Sequence, residues 1–89
     1  MQTFRLAGDD KHLYFKNLEG RPEREERAEV MKVLTQNGCV IGEKLAGPDC
    51  DLYTCRMDDI RFAVCVSLED GVSICVDDVV ALEKLERLF

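Results

Sequence analysis

From Ile60 to Val76 apolar side chains alternate along the chain: Ile60, Phe62, Val64, Val66, Leu68, then Val72, Ile74 and Val76. A period of two is that of strands with one buried face, so this stretch requires a sheet with one apolar side. The turn between the two strands follows from register. A two-residue Asp70-Gly71 loop sets Ser67 opposite Ile74, small polar against large apolar. A three-residue Glu69-Asp70-Gly71 loop sets Leu68 opposite Val72, Val66 opposite Ile74 and Val64 opposite Val76. This keeps one face apolar and puts Gly71 where positive φ is needed.

The rest of the chain reads around that hairpin. Phe4 and Leu6, then Leu13 and Phe15, alternate on either side of Asp9-Asp10, which predicts a first hairpin pairing Leu6 with Leu13 and Phe4 with Phe15. Gly20 to Asn37 reads as a helix, with Pro22 in its first turn and Asn37-Gly38 as its stop. Its apolar stripe is Val30, Val33, Leu34 and partly Met31. Its first half is charged nearly all round and is expected to project into water, with Glu23 and Arg27 spaced to pair. Cys39 to Ala46 is a strand with Cys39, Ile41 and Leu45 on one side. Cys50 to Met57 is another, with Tyr53, Cys55 and Met57 on one side. Asp58-Asp59 turns into the strand Ile60 to Leu68. Asp77-Asp78 caps a last helix to Phe89, with Val79, Leu82, Leu85 and Phe89 on its core face. The sum is ββα-ββββ-α over residues 1–89. It is one α+β domain, a two-layer sandwich of an antiparallel meander and two helices.

Composition narrows the function classes. The chain is 46% apolar and 34% charged, proportions of a globular protein. No apolar run approaches the roughly 20 residues of a membrane helix, and no export signal is read at Met1 to Asp10. Five cysteines at irregular spacing do not suggest a disulfide framework and fit reduced thiols in a cytoplasm. The net charge of −6 is uneven: residues 1–45 balance eight basic against eight acidic groups, and residues 46–89 carry four against ten. Nucleic acid and anionic membranes are therefore not expected partners. A basic protein partner is.

Three groups of residues stand out. Asp49, Asp51, Asp58, Asp59, Glu69 and Asp70 fall at strand ends, where Asp favours turns. Together they would form an acidic rim that steers a basic partner. On the hairpin register above, Cys65 and Cys75 face each other, with Cys50 diagonally close. The three would form a thiol-based metal or redox site, unless they simply pack as small hydrophobes. The outer sheet face carries Ala63, Cys65, Ser67, Ser73 and Cys75, flanked by Leu52 and Thr54, with Arg56 and Arg61 at its edge. A solvated sheet face normally carries long charged side chains. This one calls for cover, either by the Gly20 helix or first hairpin, or by a second protein or a second copy in a homodimer.

Catalytic sets are scarce. Ser67 and Ser73 are in no nucleophile elbow, no glycine loop cradles phosphate, and His12 is the single histidine. An enzyme is not the expected reading, and no cofactor is called for. The sequence points to a small acidic protein-binding module of the inhibitor, immunity or adaptor type, working through the acidic rim and the small-residue sheet face. A thiol-based metal-binding or redox-sensing protein using Cys50, Cys65 and Cys75 is the alternative.

Overall fold

The computed structural model describes residues 2–16, 20, 22–48, 50–67 and 71–89, without the side chain of Glu23. The elements are β1 (Gln2–Phe4), β2 (His12–Lys16), α1 (Glu23–Gln36), β3 (Val40–Ala46), β4 (Cys50–Met57), β5 (Ile60–Ser67), β6 (Gly71–Cys75) and α2 (Val79–Glu86). All six strands form one antiparallel sheet in the order β1-β2-β6-β5-β4-β3. This is the expected α+β fold. The meander from β3 to β6 is extended by the first hairpin, which pairs through β2 with β6. Among the described residues, no helix is long and apolar enough to cross a membrane.

Alternating side chains put Leu13, Phe15, Cys55, Phe62, Val64, Val66, Val72 and Ile74 on one face of the sheet. They form a single core with Val30 and Leu34 of α1 and with Ala81, Leu82 and Leu85 of α2. Both helices therefore cover the same face. Asp78 caps α2 by accepting the N–H of Val80 at 3.1 Å. Phe89 closes the far end with its ring edge-on to Phe15, centroids 4.8 Å apart.

Several registers differ from those expected. Ser67 faces Gly71, Val66 faces Val72 and Val64 faces Ile74. The hairpin is thus two residues away from the predicted pairing. A slip of two keeps every side chain on its face, so alternation alone could not exclude it. Gly71 does take positive φ, 71°. In the first hairpin Phe4 faces Tyr14 and Thr3 faces Phe15, a slip of one. Phe4 thereby moves to the outer face, and Leu6 lies exposed in the loop.

On β3 the three steps from Ile41 to Lys44 span only the two from Cys55 to Tyr53, so one extra residue bulges at Gly42-Glu43. The bulge switches faces. Leu45, expected beside Ile41, instead lies opposite Leu52 on the outer face, 53% exposed.

Two helix expectations also change. Val79 is exposed, because the buried stripe of α2 centres on Ala81, Leu82 and Leu85, roughly 110° round the helix from it. The charged first half of α1 does not lie wholly in water: Glu26 is buried, and Arg27 donates to the Tyr53 hydroxyl at 3.3 Å. The expected Glu23 partner of Arg27 lies outside the described side chains.

Candidate functional site

The outer sheet face is assembled by register into rows that run across the strands. One row is Phe4, Tyr14, Ser73, Cys65, Leu52 and Leu45, each opposite the next. The next row is His12, Cys75, Ala63 and Thr54. Gly42 ends that row; a Cβ there would lie 2.9 Å from the Thr54 carbonyl oxygen. The third row is Arg61, Arg56 and Val40.

The two internal covers expected for this face are overturned. The Gly20 helix packs on the opposite face, and the first hairpin continues the sheet edge to edge instead of folding over it.

The two halves of the face differ in chemistry. The Tyr14–Leu52 half is aromatic and apolar. The Tyr14 ring stacks between Phe4 (5.4 Å) and His12 (6.1 Å). Ser73, only 7% exposed, sits low between Tyr14 and Cys65. The Arg56–Arg61 half is a trough of about 730 Å³ with Ala63, Thr54 and Gly42 along its floor. Its sides carry Lys11, His12, Arg56, Arg61, Val40 and Asp77.

His12 is held at the trough wall by Asp9, whose carboxylate meets the ring Nδ1 at 2.9–3.0 Å. The backbone N–H of Lys11 donates to the same carboxylate at 2.9 Å. Those two contacts, Lys11 first, hold the Asp9 carboxyl below its usual range.

Cys50, Cys65 and Cys75 do adjoin on the outer face, with Cys50 hydrogen-bonded to Cys65, but in another register than expected. Cys65 faces Ser73 and Cys75 faces Ala63, so the two thiols are diagonal neighbours and not opposite each other. Burial, and then neighbouring Cys50, push the Cys65 thiol up to about 11. Burial first, then Asp9, Cys50 and Asp77, also push Cys75 up. Both thiols hold their protons more firmly than an ordinary cysteine, which disfavours nucleophilic chemistry. Among the described residues, no three His, Cys, Asp or Glu side chains are close enough to hold a metal.

The acidic residues separate into two places. Asp58 and Asp59 form the turn between paired Met57 and Ile60, with Asp58 at φ 53°. Asp51 lies at the other end of β4, on the helix-bearing face, with its carboxylate 3.5 Å from Lys44 Nζ. Asp49, Glu69 and Asp70 lie outside the described residues. Asp51 and the Asp58-Asp59 turn stand at opposite ends of β4, about 20 Å apart along the extended strand.

The sequence pointed to the small residues of this face but missed its aromatic end and its full width. Phe4 and Leu45 reach it only through a one-residue slip and a bulge. The lone Gly42 inside β3 was the available signal for the bulge. Compared with protein-family models, curated proteins and solved structures, the chain matches none.

Proposed function

We propose that this protein is a binding module of a reducing, cytoplasmic compartment that docks a protein partner on its outer sheet face. The observation that carries the reading is the one-sided layering. Both helices pack on one face, while the other presents the row Phe4, Tyr14, Ser73, Cys65, Leu52 and Leu45 without helix cover. Tyrosine and other large apolar side chains over small, tightly spaced ones are what a protein interface uses as anchors. All five cysteines are free, in keeping with a reducing compartment. The net charge of −6 favours encounter with a basic partner. Asp58 and Asp59, beside the trough end of the face, are the acidic groups best placed to contribute at close range.

The test is capture from a native lysate at low and high salt, with the wild type beside Leu52→Arg. A basic partner that is bound by the wild type, released by salt and refused by Leu52→Arg supports the reading. Capture that survives high salt removes the electrostatic part. Equal capture by the variant removes the sheet face. Light scattering of the purified protein separates the competing occupant, since a stable dimer would place a second copy there.

A further inference from the structure

We propose that the trough at the arginine end of the outer face binds a small organic oxyanion, a carboxylate or a phosphate monoester. The charged group sits between Arg56 and Arg61, and the body of the ligand lies on the Ala63–Thr54 floor. The proposal does not rest on the partner-docking surface, which uses the Tyr14–Leu52 row at the other half of the face.

Arg56 and Arg61 are direct cross-strand partners on β4 and β5. Like charges facing each other across antiparallel strands destabilise the sheet. Such pairs are ordinarily relieved by carboxylates. Here, among the described residues, neither guanidinium has a carboxylate within ion-pair distance, although Asp58 and Asp59 form the very next turn and Asp77 lines the same trough. Two arginines paired across the strands can bring two guanidinium forks, planar and multi-donor, to one carboxylate or phosphate. An anion between them removes their mutual repulsion and gains charge-assisted hydrogen bonds.

The surroundings provide space and a third cation. The row beside the arginines is Ala63, Thr54 and Gly42, small side chains that leave the floor low, while Val40 forms an apolar wall. The space of about 730 Å³ is of the size that takes a small molecule. Lys11 lines the far side. His12 is already engaged with Asp9, so the charge available to a ligand comes from Lys11, Arg56 and Arg61. Thr54 has its hydroxyl turned to the Glu43 carbonyl at 3.4 Å, so the floor offers contact area more than hydrogen bonds. A flat, partly apolar body suits it.

The experiment is an NMR titration of the full chain with benzoate and with phenyl phosphate, and with neutral benzamide as control. Shifts are read at the arginine Nε–H groups and at the amides of Ala63 and Thr54. The expected result is saturable shifts at these positions with at least one anion and none with benzamide. Whichever anion binds more tightly names the headgroup. Arg61→Gln should weaken binding about tenfold and Arg56→Gln/Arg61→Gln more, while Arg56→Lys/Arg61→Lys should bind between wild type and the glutamine pair. Unchanged amide positions on the helix-bearing face show that each variant is folded. Absence of saturable shifts with both anions, or equal affinity in wild type and the glutamine pair, would overturn the proposal.

Discussion

Glu26, one turn into α1, accepts the backbone N–H of Val72 on β6 at 3.2 Å, and its side chain is buried. This one bond ties the helix to the strand that follows the 68–70 segment. A Cβ added at Gly71 would lie 3.3 Å from the same carboxylate oxygen, so the strand start and the carboxylate fit closely. Glu26→Ala leaves a buried donor without an acceptor and should cost about 1–3 kcal/mol of stability. Glu26→Gln keeps an acceptor oxygen and should lose less. Urea unfolding of the two variants checks this. Equal stability of Glu26→Ala and wild type would show that the bond does not hold the helix to the sheet.

Gly42 is required by the bulge of β3. A side chain there would meet the Thr54 carbonyl oxygen at 2.9 Å, a backbone atom that cannot turn aside. Gly42→Ala should destabilise by about 1–3 kcal/mol through overpacking. It should also disturb the face on which Leu45 emerges. Thermal unfolding measures the first effect, and the Leu45 methyl environment by NMR the second.

Two desolvated thiols, buried Cys55 and half-buried Cys65, are expected to make stability fall at alkaline pH. Burial pushes Cys55 up to about 11, and Cys65 reaches about 11 through burial and Cys50, against an ordinary 9.0. The unfolded thiols ionise first. Their contribution is therefore complete below pH 9 and is lost as pH rises towards about 11. Cys55→Ala should flatten part of that decline relative to wild type, as read from urea midpoints across the same window. An unchanged slope would contradict the burial of Cys55.

The Asp9 carboxyl is held below its usual 3.8 by the Lys11 N–H first and by His12 second. A lowered folded value means that the contribution is present above 3.8 and disappears as pH falls through the lowered value. His12→Ala should raise the Asp9 titration only part of the way, because the Lys11 contact remains. A carbon-13 NMR titration of the side-chain carboxyl decides it. Complete restoration of the ordinary value would make His12 the main cause instead.

Much of the fold was legible because it rests on alternation and on punctuation. Val64, Val66, Val72 and Ile74 announced their face, Asp78 its cap, and Asp58-Asp59 its turn. What stayed hidden depends on contacts that leave no periodic trace. A slip of two at Ser67 and Gly71 preserves every face. A slip of one brings Phe4 opposite Tyr14, where the two rings stack across the strands. The bulge at Gly42 turns Leu45 outward, and Glu26, in a charged stretch, is buried where it accepts the Val72 N–H. The candidate site follows the same division. Its small floor could be read from Ala63 and Thr54, but the facing of Arg56 and Arg61 needed the pairing of β4 with β5.

The central claim is that the uncovered sheet face, and not the helices, receives the partner. The direct measurement is photo-crosslinking in the native lysate with a benzoylphenylalanine placed either at Leu52, in the outer row, or at Lys32, on the exposed side of α1. One discrete adduct is expected from position 52 and none from position 32. An adduct formed only from position 32 would contradict it and move the binding surface to the helices.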